Sequence, residues 1–572
     1  MKSLLAPRGL RALGLCSVVA LSFACTPTTP AVSPEGGTPA ASASATASAA
    51  PSEGPDVYMP AGPFNEAALP KVETAPLAAG ALKLPPVPAG VAAAPAMCTN
   101  ALKVNATEVP ACSDRATALA ALDQALAKGP ADPASADEAA VVARDAALAV
   151  LEGCAWLPSG LVRALRADLL PAACGDVMAE PILSAPPADL RADIHEALFG
   201  LALAARFARV SAAAPALAPP FTRDRVEKHI AGPVQKWMRD VATSVQELSG
   251  AASKLPFYGG AVAAVAAGTA DLALVETVRG APIPDELQKD EERRNIYYAA
   301  LDEKLEPRKT RGRNAALAGL LRFAEVGSID DRRVREARRL LSKLYGGRRI
   351  DALDRLIVPA APAGAAGSME ARLADRLPSF YAGILLDAKL SGDAAVLPVL
   401  ARRGLPLAHR AALREGTVSP EIAPIVARAY LDLGRTYFRA SDFESAAKAM
   451  SLVPPASRTP ELKLLAGLSM GLRGGPKDAV EMMVKSPLGM NALGQRAALD
   501  ALALEKGPLS GAAAFDGAYV MEIAAPERAD GLFFKSIAKR YEAAAEMLVD
   551  PAQKKEAEER AKAALAIAGE VK

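Results

Sequence analysis

Apolar residues recur at three- and four-residue intervals along most of the chain from about residue 113 onward. The first such stretch follows Ser113-Asp114, a pair suited to cap a helix, and places Ala116, Leu119, Leu122 and Leu126 on one face. Further stretches with the same spacing predict helices near 136–153, 187–209, 222–249, 260–279, 285–305, 313–326, 329–345 and 369–390. Pro219-Pro220 and Gly346-Gly347 are among the breaks between them. No run alternates apolar and polar residues as a half-buried strand does. The expected fold class is therefore all-α, with helical hairpins stacked as an α-solenoid or as bundles. Gly259-Gly260-Ala261-Val262-Ala263-Ala264-Val265-Ala266-Ala267-Gly268 reads as a closely packed core helix. Asp271 and Glu276 end its apolar run too soon for a comfortable membrane crossing.

The first 96 residues follow other rules. Lys2, Arg8 and Arg11 precede an apolar run from Ala12 to Ala24, about a dozen residues, which is too short to cross a hydrocarbon core of ~30 Å and has the form of an export signal. From residue 26 to about 96, Ala, Pro, Ser, Thr and Gly dominate, and few bulky residues are available to offset the entropy of ordering. As a flexible coil, a segment of this length has an end-to-end distance of about 50 Å. Leu21-Ser22-Phe23-Ala24-Cys25 resembles the lipobox of bacterial lipoproteins, although the leucine lies one place earlier than in that family, and Ser22-Phe23-Ala24 also suits ordinary signal cleavage. The resemblance implies lipidation of Cys25, and the absence of aspartate just after it implies the outer membrane, periplasmic or surface facing. Several acyl chains on one residue anchor a protein without a membrane-spanning helix.

Between 427 and 487, Tyr430, Leu433, Gly434, Tyr437, Phe443, Ala446 and Met450 fall on two helices joined by a polar turn. A shift of 33 residues places Gly434 on Gly467, Ala446 on Ala479 and Met450 on Met483. This pattern resembles the tetratricopeptide repeat, whose period is about 34 residues. In such a unit the small residues let paired helices approach, and the larger ones fill the gap between hairpins. The second unit departs from the family at Met470 and at Gly474-Gly475-Pro476, the third is eroded by Gly507-Pro508-Leu509-Ser510-Gly511, and 530–568 reads as a closing cap. The expected organisation is a signal at 1–24, a tether at 25–96, a helical domain with disulfides at 97–360 and a repeat domain of the tetratricopeptide kind at 361–572.

Formal charge is +2, and loss of the three basic residues of the signal takes it to −1, so no global attraction to nucleic acid is implied. Locally the balance differs. Thirteen Arg and Lys against four acids between 308 and 349 leave an excess of nine positive charges. On a helix from about 330, Val334, Ala337, Leu341 and Leu344 form an inward stripe that leaves Arg332, Arg335, Arg338 and Arg339 largely outward. Such a face suits an anionic envelope lipid or wall polymer. It also suits a solvated face paired with the acidic segment before it, which carries Asp285, Glu286, Asp290, Glu291, Glu292, Asp302, Glu303 and Glu306.

Of six cysteines, Cys16 leaves with the signal and Cys25 is the lipidation candidate, leaving Cys98, Cys112, Cys154 and Cys174. An even number in an exported chain points to two disulfides. Chain proximity favours Cys98 with Cys112 and Cys154 with Cys174, among three pairings that four cysteines allow. Spacings without a CxxC pair, and no neighbouring histidine, argue against a metal. His195, His229 and His409 stand far apart, His195-Glu196 lacks a second histidine, and no nucleophile elbow or phosphate loop is present. No catalytic residue, metal or cofactor is therefore expected. The reading is a membrane-anchored interaction scaffold that binds a protein or peptide partner, with a cell-wall-active enzyme as the rival class.

Overall fold

The computed structural model describes residues 82–103, 112–129, 137–211, 214–344, 350–359, 368–386, 418–437, 439–472, 496–523, 525 and 529–571. Residues 1–24, expected to be a signal, and Cys25, Ala479, Met483 and Gly474-Gly475-Pro476 lie outside them. The fold is all-α, and the described residues contain no strand. Among the described residues fourteen α-helices precede residue 386: α1 (Ala96–Leu102), α2 (Arg115–Leu126), α3 (Glu138–Val150), α4 (Leu161–Leu169), α5 (Gly175–Ser184), α6 (Ala192–Ser211), α7 (Arg223–His229), α8 (Gln235–Ala252), α9 (Phe257–Arg279), α10 (Asp285–Lys289), α11 (Glu291–Val326), α12 (Arg332–Leu344), α13 (Met369–Arg376) and α14 (Ser379–Leu385). The C-terminal part holds α15 (Ala423–Tyr437), α16 (Ala440–Ser451), α17 (Pro460–Leu472), α18 (Ala497–Leu504), α19 (Ser510–Ile523), α20 (Gly531–Met547) and α21 (Pro551–Glu570).

Local chemistry explains most boundaries. Asp114 caps α2, its carboxylate accepting from the Thr117 amide at 2.8 Å, and Asp290, Asp530 and Asp550 cap α11, α20 and α21 in the same way. Two expected boundaries move. The stretches near 285–305 and 313–326 join in α11, which carries Pro307 in its interior, and the N-terminal half of this helix is largely exposed, so water can satisfy the carbonyl that the proline leaves without a donor. The single helix expected over 222–249 is instead two, joined by a π turn at Ile230–Val234 that absorbs Pro233. Pro378 separates α13 from α14, which were expected as one helix.

Helix α9 lies at the centre, packed by α6, α8, α11 and α12. It is long and apolar enough to span a membrane, but most of its apolar window is buried inside the protein. Its small residues set the spacing. Gly259 lies directly against Gly200 of α6, and a Cβ on either would overlap backbone atoms of the facing helix. Asp271, buried in the same helix, is neutralised by Arg311 at 2.6 Å and Arg308 at 3.2 Å, both from α11.

Chain order and packing diverge around residue 360. Helices α13 and α14 join the core formed by α2, α3 and α4. There Arg372 reaches Asp123 at 2.9 Å, and the Tyr381 hydroxyl donates to the Ala164 carbonyl at 3.1 Å. Residues 350–359, by contrast, lie on the C-terminal helices. The two stretches thus cross the boundary expected at 360/361 in opposite directions.

The cysteines form two bridges, Cys98–Cys174 and Cys112–Cys154, and not the pairs that chain proximity favours. Packing decides this outcome. Helix α1 lies against α5, which brings Cys98 to Cys174, while α2 and α3 form a hairpin that brings Cys112, before α2, to Cys154, after α3.

Candidate functional site

From α15 to α21 each described helix packs on its neighbour in sequence, and α17 also touches both α15 and α19. Helices α15, α17 and α19 therefore form one layer of the array. Gly434 and Phe443 explain the first hairpin, because a Cβ at 434 would overlap the Phe443 ring, so the glycine admits that ring between α15 and α16. Gly467 stands in the same relation to Leu499, with a Cβ meeting its Cδ2 at 2.8 Å. Tyr430, Leu433, Phe443, Ala446 and Met450 are buried in one core, and Tyr437 reaches out of the array to donate to the Ser328 carbonyl at 2.6 Å.

Residues 350–359, Ile-Asp-Ala-Leu-Asp-Arg-Leu-Ile-Val-Pro, form a strap on this array. They make one short 3-10 turn over Ala352–Arg355 and continue extended from Leu356. Ile350, Ala352, Leu353 and Leu356 are buried. Side chains from the array hold the strap mostly by its main chain. Tyr519 of α19 donates to the Ala352 carbonyl at 2.7 Å, and Arg435 of α15 donates to the carbonyls of Leu353 at 2.9 Å and Asp354 at 3.2 Å. Arg428 of α15 donates to the Pro359 carbonyl, and the Asp516 carboxyl of α19 accepts from the Ile357 amide at 2.8 Å. Glu556 of α21 pairs with the strap's Arg355 at 3.0 Å. Two helices, α15 and α19, thus satisfy polar backbone atoms that burial would otherwise strand.

Burial shapes the electrostatics of α19. It pushes the Asp516 carboxyl well above the ordinary aspartate range, against the opposing pull of the Ile357 amide and of Arg435. Six residues on, burial raises Glu522 to about 7 despite Arg560 of α21, whose guanidinium lies 2.6 Å away, and the Tyr541 hydroxyl at 2.5 Å. Arg560 is itself fully buried and stacks over Tyr519, 4.7 Å from the ring centroid. A second buried cluster lies where α4, α9 and α12 meet, with Asp168 accepting from the Tyr258 hydroxyl at 2.6 Å and from Arg333.

The four arginines singled out on α12 do not share one environment. Arg335 and Arg339 are about half exposed, paired with Asp330 and with Glu336 and Glu276. Arg332 and Arg338 turn inward, against the expectation of an outward face. Arg332 donates to the carbonyls of Asp168 at 2.7 Å and Leu170 at 3.1 Å, closing the end of α4, and Arg338 pairs with Asp354 of the strap at 2.8 Å. The apolar stripe of α12 is wide, with Leu340 added to the expected four residues, and α12 also lies beside the strap, so both flanks are covered. Among the described ion pairs of this region, Glu306 on Lys309 at 3.9 Å draws on the acids of 285–306, while others use acids on α4 and α9, at 330–331, within α12 and on the strap.

No group of three or more His, Cys, Asp or Glu residues that could hold a metal ion occurs among the described residues. No known protein family, curated protein or solved structure matches the chain.

Proposed function

We propose that this chain is a lipid-anchored scaffold of the bacterial cell envelope whose C-terminal helical array, of the tetratricopeptide kind, grips an extended polypeptide by its main chain. The observation that carries this reading is the strap at 350–359, held by Arg428, Arg435, Asp516 and Tyr519 through backbone carbonyls and an amide. Main-chain recognition tolerates varied sequences, and the buried seats of Leu353 and Leu356 add selectivity for apolar side chains three residues apart. A partner strand takes the place of the strap, so the two compete.

Lipid on Cys25 and the Ala/Pro/Ser/Thr-rich tether place this array at the outer membrane within reach of other envelope proteins. The function needs no catalytic residue and no cofactor. Crosslinked capture from intact cells tests it. The full chain recovers a reproducible partner, Arg428→Ala with Arg435→Ala loses it, and Leu353→Asp with Leu356→Asp, which expels the strap, raises its yield. Equal capture by all three proteins would reject the reading.

A further inference from the structure

A cleft of about 600 Å³ opens between α6, α9 and α12, within the size range of small-molecule sites. Its floor is apolar. Ala204 and Phe207 of α6 face Val265, Ala266, Thr269 and Ala270 of α9, and the short side chains among them leave the space that larger residues would fill. Its rim is cationic. Arg332, Arg335, Glu336 and Arg339 come from one face of α12, at the three- and four-residue spacing of a helix, and the buried Arg333 stands behind them.

The rim arginines divide by the strength of their present engagements. Arg332 and Arg333 are fixed by buried carbonyls and carboxylates and act as positioned charges. Arg335 pairs with Asp330 and Arg339 with Glu336, all about half exposed, and Arg339 also reaches the less exposed Glu276 at 3.5 Å. The exposed pairs to Asp330 and Glu336 are worth little and oppose an arriving anion only weakly. Apolar floor and arginine-bearing rim lie side by side, which is the arrangement that an amphiphile with an anionic head requires.

We propose that this cleft is a binding site for a single-chain anionic amphiphile, with the acyl chain on the α6/α9 floor and a phosphate or carboxylate head held by Arg335 and Arg339. The site is separate from the array and the strap, so it stands or falls independently of the scaffold reading. Such molecules occur both as free monomers and as lipids within a bilayer.

Calorimetric titration of the full-length protein with dodecyl phosphate below its micellar concentration tests the site. One molecule binds per chain, inorganic phosphate shows no measurable binding, and dodecanol binds at least tenfold more weakly. Arg335→Gln with Arg339→Gln weakens dodecyl phosphate binding about tenfold or more, the loss expected for about 1.4 kcal/mol of charge-assisted contact. Ala266→Leu, which fills the floor, removes binding. Thermal unfolding of each variant within a few degrees of the parent shows that the fold is kept, and where Ala266→Leu unfolds, Thr269→Leu, which also adds bulk to the floor, takes its place. Absence of dodecyl phosphate binding, equal binding of inorganic phosphate, or binding unchanged by both rim and floor variants would overturn the proposal. So would binding to phosphatidylglycerol vesicles alone, which would assign the contact to a membrane surface and not to the cleft.

Discussion

Asp516 is the most informative single position for the strap. Its side chain is fully buried, one oxygen accepts from the Ile357 amide at 2.8 Å, and burial raises its pKa well above the ordinary value. Asp516→Asn keeps a carbonyl oxygen in the same place and removes the ionisation. Asp516→Leu removes the acceptor and leaves a buried amide without a partner, which costs about 1 to 3 kcal/mol. That range corresponds to about a 5- to 150-fold loss of protection for strap amides under local opening. Hydrogen exchange read by mass spectrometry on a peptide covering 350–359 is the assay, with rates corrected for the intrinsic pH dependence of exchange. Asp516→Asn is expected to lose less protection than Asp516→Leu, because it keeps the acceptor for the Ile357 amide.

The pH dependence has a definite sign. A carboxyl whose folded-state pKa is raised favours the neutral form in the folded protein, so its contribution is fully present below the ordinary value of 3.8 and is lost as pH rises through the raised one. Strap protection in the parent therefore declines from acid toward neutral pH, and in Asp516→Asn this component is flat. Equal losses in the Asn and Leu variants, or a strap indifferent to both, would refute the reasoning.

Three further outcomes follow from the packing. Arg560→Leu strands the buried Glu522 carboxyl and should cost about 3 to 5 kcal/mol in thermal unfolding, while adding Glu522→Leu should recover much of the loss. Gly200→Val drives a branched side chain into the backbone of α9 and should destabilise by at least ~1 to 3 kcal/mol, the usual overpacking range, whereas Gly250→Ala, where a Cβ meets nothing within 4 Å, should not. Non-reducing peptide mapping should recover Cys98 with Cys174 and Cys112 with Cys154. Loss of the first bridge, whose ends lie 76 residues apart, should cost up to about 4.5 kcal/mol on chain-entropy grounds.

The all-helical character was legible because hydrophobic spacing is a local property that survives tertiary context. The Gly434–Phe443 contact was legible only in part, since the spacing marks a close approach at Gly434, but the Phe443 ring expected in the gap between hairpins lies inside one, between α15 and α16. Pairings across long separations were not. Which cysteine meets which depends on α1 lying against α5, and no spacing in the sequence encodes that contact. The strap escaped notice for a related reason, because ten residues with a single short turn carry no periodic signal and their receptor lies on helices some 70 to 200 residues later. The buried acids did leave a trace. Asp516 and Glu522 stand alone in the apolar run from 509 to 525, and Arg560 interrupts an alanine stripe formed by Ala557, Ala561, Ala564 and Ala568. A charge at an inward position of a helical stripe asks for a buried counterpart, and that reasoning would have joined Glu522 to Arg560. On α12 the same stripe argument misplaced Arg332 and Arg338, because it assumed one covered face where two neighbours cover the helix.

The most direct test of the scaffold account is crosslinked capture of the epitope-tagged, full-length protein from intact cells, with the mass of its mature N-terminus measured in the same preparation. The account predicts a lipidated Cys25 and a reproducible set of envelope proteins that disappears with Arg428→Ala and Arg435→Ala and grows when Leu353→Asp and Leu356→Asp expel the strap. A soluble chain without partners, or a partner set indifferent to all four substitutions, would contradict it.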